Sequence, residues 1–244
     1  MNSINRYMET ALQLLKKVQS TQQDAMQAAA EAVAATLEHG GTIFTFGTGH
    51  SHMLAEEVFY RAGGLAKVYP ILDEPLMLHA DAPRSSMLER LPGYAHTLIN
   101  SRIGIKEGDV IFLFSNSGRN TVSVEMALEA KEKGMTVICI TNLQHSRSVV
   151  SRHPSGKRLY EACDIVIDNL GAIGDAAIPI GSETCGPTST VIGSAIMQAI
   201  VCGAVEKMID DGAEPEVFKS SNVDGGDEAN DRYIEKYHPS IRML

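Results

Sequence analysis

The stretch Val110-Ile111-Phe112-Leu113-Phe114-Ser115-Asn116-Ser117-Gly118-Arg119-Asn120 decides the fold. Its first five residues form a short apolar run of the kind that makes a fully buried strand. After it, apolar residues recur at helical spacing, at Val122, Met126, Ala127 and Ala130. Two serines, two asparagines and a glycine therefore lie where a buried strand gives way to a helix.

The start of such a helix is a natural site for an anion. Its first backbone N–H groups have no intrahelical partner, and the helix dipole favours negative charge there. Ser115 and Ser117 add hydroxyl donors without adding charge, and Gly118 lets the backbone approach a ligand closely. The alternative is that the polar side chains only cap the helix. We predict that an anionic group is bound by Ser115, Asn116, Ser117, Gly118 and Asn120.

A second junction has the same order of strand, small polar turn and helix. Residues 42–46 are predicted to form a buried strand, Gly47-Thr48-Gly49-His50-Ser51 follows, and residues 51–63 are expected to be helical. The turn lacks the third glycine of a dinucleotide-binding fingerprint, because position 52 is a histidine. We predict that Gly49, His50 and Ser51 form the other half of the same binding site.

The remaining apolar runs alternate with helical patterns. Further strands are predicted at residues 66–71, 109–114, 135–140 and 163–168, and a buried helix is predicted at residues 188–211. Strands that alternate with helices indicate an α/β fold, with a parallel sheet that carries helices on both faces. Ligands of such sheets bind beyond the carboxyl ends of the strands, so both polar turns are expected to line one crevice.

The chain has 244 residues, which is enough for one large domain with flanking segments. Residues 1–40 predict one long amphipathic helix, or two, packed on the domain or on a partner subunit, and residues 41–212 hold the alternating pattern. Residues 72–105 are long for a connection and are expected to form a lid, a binding element or an extra helix. Residues 213–244 are predicted to be a solvated tail with a short docking helix, or a segment that covers the active site.

Composition limits the classes of partner and cofactor. The net charge is −9 and no basic stripe is visible, so nucleic acid is not expected to bind. The four cysteines match no zinc-site spacing, and neither a metal nor an organic cofactor is predicted. No signal segment is recognised, and the apolar run 191–205 is too short for a membrane span. These features predict a cytoplasmic protein without a membrane partner.

Three motifs resemble those of the sugar isomerase (SIS) domain family, whose members bind phosphosugars. The glycine-containing run 47–51 and the run 115–120 are similar to the two signatures of the family, and Cys185-Gly186-Pro187-Thr188-Ser189-Thr190 is similar to a frequent helix start. The resemblance covers about residues 30–210 and is closest to single-domain, phosphoheptose-isomerase-like members, although Asn120 stands where the family usually has threonine. It implies a flavodoxin-like three-layer α-β-α sandwich with a five-stranded parallel sheet. It also implies a homodimer or homotetramer with shared active sites.

An aldose–ketose isomerase needs a base that moves a proton between adjacent carbons, and an acid–base group that opens the sugar ring. The resemblance makes Glu183 the first candidate for the base, while the alternative is that Glu183 only caps the following helix or binds loop backbone. His145 is expected to open the ring, unless it is a solvent-facing loop residue. His79 and Glu89, in the long connection, are further candidates for acid–base work.

The function that follows is binding of a sugar phosphate, with isomerisation through a glutamate base and an enediolate intermediate. Two other classes stay open, because SIS domains also carry lyase or etherase chemistry on amino-sugar phosphates and also serve as non-catalytic sugar-phosphate sensors. The sensor is disfavoured, since no DNA-binding helix pair accompanies the domain. Arg119 is expected either to pair with the phosphate or to form an exposed salt bridge.

Overall fold

The computed structural model describes residues 2–101 and 104–244, and in these ranges it contains nine α-helices and seven strands. The helices are α1 (Ser3–Thr21), α2 (Gln23–Glu38), α3 (His52–Glu57), α4 (Leu78–Leu88), α5 (Tyr94–Asn100), α6 (Thr121–Glu132), α7 (Leu143–Ser148), α8 (Ser189–Asp210) and α9 (Gly226–Tyr237). The strands are β1 (Ile43–Gly47), β2 (Val68–Pro70), β3 (Val110–Phe114), β4 (Thr136–Thr141), β5 (Ile165–Asp168), β6 (Ala176–Ile180) and β7 (Glu183–Pro187). Positions 1, 102 and 103, which belong to the predicted segments 1–40 and 72–105, lie outside the described residues.

Five strands form one parallel sheet in the order β2-β1-β3-β4-β5. This sheet confirms the predicted α/β fold with a five-stranded parallel sheet. Strands β1 and β3 are hydrogen-bonded neighbours, and Gly47 at the end of β1 lies opposite Phe114 at the end of β3. The chain leaves β1 to one side to form β2 and returns on the other side to form β3. Such a switch point is where open α/β sheets bind ligands.

Alternating side chains of the strands divide the core into two apolar clusters, one on each face of the sheet. Ile111 and Leu113 belong to one cluster, whereas Val110, Phe112 and Phe114 belong to the other. Helices α5, α6 and α9 cover the first cluster, and helices α2, α3 and α8 cover the second. Helices on both faces of the sheet confirm the three-layer sandwich.

Helix α8 is the long apolar helix of the sequence and packs against α2. By length and composition it is the one helix in the described residues that is long and apolar enough to cross a membrane. Its residues Ile192, Ile196 and Ile200 are nevertheless buried in the second cluster. Helix α8 is therefore placed as the core helix of a folded domain, as the sequence predicts.

Three local predictions differ from the structure. The amino-terminal segment forms two helices that are separated at Gln22, so the alternative of one long helix is wrong. The helix after the first polar turn ends at Glu57 rather than near residue 63, and Tyr60 then takes a left-handed backbone conformation with φ of 44°. The antiparallel hairpin β6–β7 was not predicted, because a proline interrupts β6 and because β7 is largely exposed and carries no apolar run.

The carboxyl-terminal tail docks along the chain that leads into β2. Leu65 forms an antiparallel bridge with Val217, and α9 places Tyr233 and Tyr237 in the first cluster. The hydroxyl of Tyr237 donates to the carboxylate of Glu216. The tail thus contains a docking helix, while covering of an active site by the tail stays a prediction.

Candidate functional site

The two polar turns lie side by side at the carboxyl edge of the sheet. The glycine turn (residues 47–51) follows β1, and the serine turn (residues 115–120) follows the neighbouring strand β3. Glu89, which directly follows α4, is hydrogen-bonded both to the glycine turn and to the start of α6, the helix that follows the serine turn. Its Oε2 accepts a hydrogen bond of 2.8 Å from the Thr48 hydroxyl, and its carbonyl accepts one of 3.1 Å from the Val122 N–H. The candidate Glu89 therefore lies between both turns.

The serine turn presents a row of free backbone donors. Within the described ranges, the N–H groups of residues 116, 117, 119, 120 and 121 make no hydrogen bond. Gly118, in the middle of the turn, has φ of +58°, and a Cβ atom at this position would lie only 2.8 Å from Ser146 Oγ. Successive free N–H groups around a left-handed residue form the kind of concavity that binds anions. The turn is therefore suited to an oxyanion, and it requires glycine at position 118.

The polar side chains of the turns are not used for helix capping. Asn120 is the N-cap residue of α6 and Ser51 that of α3, and neither side chain bonds to the first turn of its helix. The Ser117 hydroxyl has no hydrogen-bond partner in the part of the chain that the structure describes. Ser115 Oγ accepts from the Gly118 N–H at 3.2 Å, which leaves the Ser115 hydroxyl proton available. Capping, the alternative raised by the sequence, does not account for these side chains.

Buried side chains from β4 and β5 fix the position of the serine turn. The Asn142 N–H donates to the Asn116 carbonyl at 3.0 Å, and Asn169 Nδ2 donates to Asn116 Oδ1 at 2.8 Å. The Thr141 hydroxyl donates to the Ser115 carbonyl at 2.7 Å. Asn142, Asn169 and Thr141 are buried, so this network holds the turn before any ligand arrives. In the sequence, the one signal for this network is that Thr141 and Asn142 directly follow the predicted strand 135–140.

His145 lies in α7, next to the serine turn. Its backbone N–H donates to Asn142 Oδ1, and its ring Nδ1 accepts from the Gly174 N–H at 3.4 Å. Burial holds the pKa of His145 below its ordinary value, the Arg119 guanidinium lowers the pKa further, and Asp175 acts in the opposite direction. The ring is therefore neutral at pH 7 and able to accept a proton.

We expect the His145 ring to titrate in NMR spectra with a midpoint below the usual histidine value of about 6.5. The substitution Arg119→Gln removes the neighbouring positive charge and should raise this midpoint. Arg61→Gln serves as the control, because Arg61 pairs with Glu57 on α3, and it should leave the midpoint unchanged. A midpoint above 6.5 in the unmodified protein would contradict the placement of His145.

His79 lies in α4, which packs on the turn Gly49–Ser51. The ring centroids of His79 and His52 are 6.4 Å apart, and His52 Nδ1 contacts the Gly49 carbonyl. His50 and His79 are both exposed. Across residues 2–101 and 104–244, no group of three or more His, Cys, Asp or Glu residues could hold a metal ion. The structure thus brings His50 and His79 to the glycine turn.

Glu183 lies away from helix α8, at the tip of the β6–β7 hairpin. It is exposed and accepts a 3.4 Å hydrogen bond from its neighbour Ser182. The hairpin packs against α1, where the Tyr7 hydroxyl donates to the Pro187 carbonyl at 2.9 Å. In the described chain, no hydrogen bond or ion pair joins Glu183 to the serine turn.

The start of α8 is capped by Asp175, a residue that nothing in the sequence singled out. Asp175 Oδ1 accepts from the N–H groups of Thr188 and Ser189, at 3.0 and 2.9 Å. Capping of α8 is therefore not the role of Glu183. That alternative from the sequence is wrong, and the catalytic role of Glu183 stays a prediction.

Arg152 is a further residue of the site that the sequence did not reveal. Its N–H donates to the Arg119 carbonyl at 2.8 Å, and its Nη1 donates to Asn120 Oδ1 at 2.6 Å. Arg152 is 32 residues from Asn120 along the chain, in a loop without periodicity, so only the fold brings them together. Arg119 itself makes no ion pair with the described residues, so the exposed salt bridge expected as one alternative is not formed.

Residues 6–142 match the SIS domain, and the chain belongs to the SIS domain family. Its relatives include UPF0309 proteins. It is 49% identical over 243 residues to the UPF0309 protein of Geobacillus thermodenitrificans, an alignment that covers 99% of this chain and 97% of the relative. It is 47% identical to UPF0309 protein lin2794 of Listeria innocua, covering 99% and 98%. The matched range begins in α1, so the amino-terminal helices are part of the family match.

Solved structures share the fold at low sequence identity. Phosphoheptose isomerase GmhA from Neisseria gonorrhoeae has a TM-score of 0.52 and 16% identity, covering 85% of this chain and 97% of that one. A phosphoheptose isomerase from Francisella tularensis has a TM-score of 0.50 and 20% identity, covering 86% and 100%. The Vibrio vulnificus NanR protein complexed with ManNAc-6P has a TM-score of 0.51 and 16% identity, covering 98% and 69%. These likenesses confirm the SIS fold.

Proposed function

We propose that the protein binds a sugar phosphate where the glycine and serine turns meet, and that it interconverts the aldose and ketose forms of that sugar. The serine turn carries the proposal, because its free N–H groups and hydroxyls surround a left-handed glycine at the end of β3. Hydrogen bonds to a charged group contribute about 1.5–3 kcal/mol each, so a few such donors suffice for a phosphate. With a net charge of −9, local donors rather than the overall field must hold the anion.

The proposed chemistry moves one proton between two adjacent carbons. A carboxylate removes the proton from the carbon next to the carbonyl, which gives an enediolate. The carboxyl group, whose new proton exchanges with solvent, then delivers a proton to the former carbonyl carbon, while a hydroxyl proton passes from the oxygen of one carbon to the oxygen of the other. His145 suits the ring-opening step as a proton donor. Its Nδ1 accepts from the Gly174 N–H, so the neutral ring carries its proton on Nε2, from which it can protonate the ring oxygen of the sugar. His79 is proposed as a further acid–base group, because its ring lies 6.4 Å from that of His52, next to the glycine turn.

We propose Glu183 as the base, supplied to the site of a neighbouring subunit. The hairpin that carries Glu183 borders an apolar groove of about 350 Å³ against α1. On α1, Ile4, Met8 and Leu12 are 74%, 56% and 51% exposed. Large exposed apolar patches mark interaction surfaces, so we propose that a second copy of the chain covers this groove and the exposed face of α1. The proposed assembly is a homodimer or homotetramer with shared active sites. In this assembly, the exposed hairpin tip supplies Glu183 to the active site of the neighbouring subunit.

Glu89 is a second candidate for the base, and one contact favours it. Its carboxylate already lies at the site within one chain, bound to the Thr48 hydroxyl. A cytoplasmic location is part of the proposal, because Cys139, Cys163, Cys185 and Cys202 are all free thiols, which suits a reducing compartment.

A thermal-shift panel tests the proposed function. Pentose, hexose, heptose and N-acetylhexosamine phosphates are compared with the same sugars without phosphate. At about 100 times its Kd, a ligand stabilises the native state by about 2.7 kcal/mol. For a chain of this size, that corresponds to a rise in Tm of roughly 5–10 °C. The proposal fails if no sugar phosphate raises Tm more than its unphosphorylated counterpart.

Product analysis of the ligand found in this way separates the three classes. An aldose–ketose pair at equilibrium supports the isomerase, release of an ether or other substituent supports the lyase or etherase, and binding without any product supports the sensor. The isomerase proposal also requires solvent deuterium to enter the sugar at the carbon that exchanges its proton.

A further inference from the structure

Three arginines converge on the start of α6. Arg119 belongs to the serine turn, and Arg152 is bound to the Arg119 carbonyl and to Asn120 Oδ1. The hydroxyl of Thr121, the first residue of α6, donates to the Arg152 carbonyl at 3.1 Å. Arg90 follows Glu89 in sequence, and the Glu89 carbonyl is fixed to the first turn of α6. We call Arg90, Arg119 and Arg152 the arginine cluster.

The arginine cluster has no counter-ion of its own. In the residues that the structure describes, none of its members has a carboxylate within 4 Å, whereas Arg61 and Arg158 both pair with glutamates. The chain has 30 acidic residues against 21 basic ones, so unpaired arginines are not a result of composition. Burial and the charges of Arg119 and Arg90 lower the pKa of Arg152, and Glu89 acts in the opposite direction. In the described residues, Glu89 is thus the one carboxylate that offsets the charge of Arg152, against the charges of two neighbouring arginines.

Two buried polar atoms next to the cluster lack partners as well. Arg119 Nε and Ser123 Oγ are buried and make no hydrogen bond with the described residues. Ser123 is 2% exposed and lies in the first turn of α6. Helical side chains lean toward the helix N-terminus, so the Ser123 hydroxyl is directed toward the Arg119–Asn120 end. Buried polar groups without partners are uncommon, so Arg119 Nε and Ser123 Oγ leave unused hydrogen-bonding capacity at the start of α6.

We propose that the arginine cluster binds a second anionic group of the ligand, so that the preferred ligand is a sugar phosphate with an additional carboxylate or phosphate. The inference rests on the proposed function, in which the neutral donors of the serine turn take the first phosphate. Guanidinium groups bind carboxylates and phosphates through two parallel hydrogen bonds, which suits either group. A neutral sugar hydroxyl does not compensate the positive charge of the cluster, for which Glu89 is the one carboxylate near Arg152 in the described residues.

Matched pairs of sugar phosphates test this inference by titration calorimetry. Glucitol 6-phosphate is compared with 6-phosphogluconate, both of which are acyclic, and fructose 6-phosphate with fructose 1,6-bisphosphate, so each pair differs by one anionic group. In at least one pair, the member with the extra anion should bind at least about tenfold more tightly, which corresponds to about 1.4 kcal/mol. The advantage should shrink between 50 and 200 mM salt, because added salt screens interactions between charges. A preference for the first or the second pair identifies the anion as carboxylate or phosphate.

Variants assign the preference to the cluster. Arg90→Gln should remove most of it while the simple monophosphate keeps its affinity. Arg152→Gln also removes the hydrogen bond to Asn120 Oδ1 of the serine turn, so it should weaken binding of the monophosphate to some extent and binding of the member with the extra anion much more. Arg152→Lys should retain part of the preference. Arg61→Gln, which removes one paired surface arginine, should leave the preference unchanged. If a variant fails to fold, the matched pairs and the salt dependence, both measured on the unmodified protein, still decide whether the ligand carries a second anionic group.

The outcomes separate this inference from the proposed function. If monophosphates bind and the extra anion brings no gain in either pair, the inference is wrong and the proposed function stands. The inference is also wrong if Arg152→Gln weakens both members of a pair equally, since the arginines would then serve the first phosphate. If no sugar phosphate of either kind binds, both are wrong.

Discussion

Ser117→Asp is expected to abolish sugar-phosphate binding, with a loss of affinity of at least about 100-fold, or about 2.7 kcal/mol. The change removes a hydroxyl donor and adds a carboxylate among the free N–H groups of the serine turn. Loss of one hydrogen bond to a charged group costs about 1.5–3 kcal/mol, and repulsion between carboxylate and phosphate adds to this. Because Ser117 is only partly buried and bonds to no described residue, the Tm without ligand should change little.

Two further variants make the calorimetric measurement decisive. Ser117→Ala removes only the donor and should weaken binding about tenfold, in line with one lost hydrogen bond. Ser20→Asp adds the same charge on α1, where the Ser20 hydroxyl bonds to the Lys17 carbonyl, and should leave affinity unchanged. Equal affinity of Ser117→Asp and the unmodified protein would remove the serine turn from the binding site.

The sheet was predictable because its strands are buried on both faces. Strands β3 and β4 were predicted to within one residue, since a strand without a solvent face is a continuous apolar run. Short strands gave weaker signals, and the prediction for β2 was three residues too long. Helix α8 was predicted to within one residue at each end for the same reason, because its apolar run is long and uninterrupted.

The hairpin β6–β7 could not be predicted, because its stability depends on α1. Residues 176–187 show no clean alternation, and most of them are partly or fully exposed. Their contacts are non-local, and the Tyr7–Pro187 hydrogen bond joins residues 180 positions apart. A local pattern carries no information about such a partner.

The candidate site was predictable in its two turns but not in the residues around them. The turns follow from strand ends and helix starts, which the sequence marks with glycine and serine. Their adjacency depends on the strand order, in which β1 lies between β2 and β3. The arginine cluster comes from three separate segments, and Arg90 and Arg152 carry no local signal. Residues that reach the site only because the chain folds could not be predicted from the sequence.

Glu183→Gln is expected to lower the rate of deuterium incorporation into the bound sugar phosphate at least about 100-fold, the usual contribution of a positioned general base. Affinity should persist, because Glu183 lies on the hairpin tip and not among the donors of the serine turn. Glu89→Gln is the comparison. If Glu89→Gln alone stops the exchange, Glu89 is the base and the assignment to Glu183 is wrong.

Mixing two inactive variants tests whether Glu183 acts across a subunit boundary. Chains with Glu183→Gln retain an intact serine turn, and chains with Ser117→Asp retain an intact hairpin. If the hairpin serves the neighbouring subunit, a mixed dimer contains one site with both parts intact, and random exchange in a two-fold dimer restores about a quarter of the wild-type rate. If each hairpin serves its own chain, every site stays defective and no rate returns. Fluorescence energy transfer between donor-labelled and acceptor-labelled chains confirms that subunits have exchanged, so the absence of rescue in exchanged dimers would overturn the shared site.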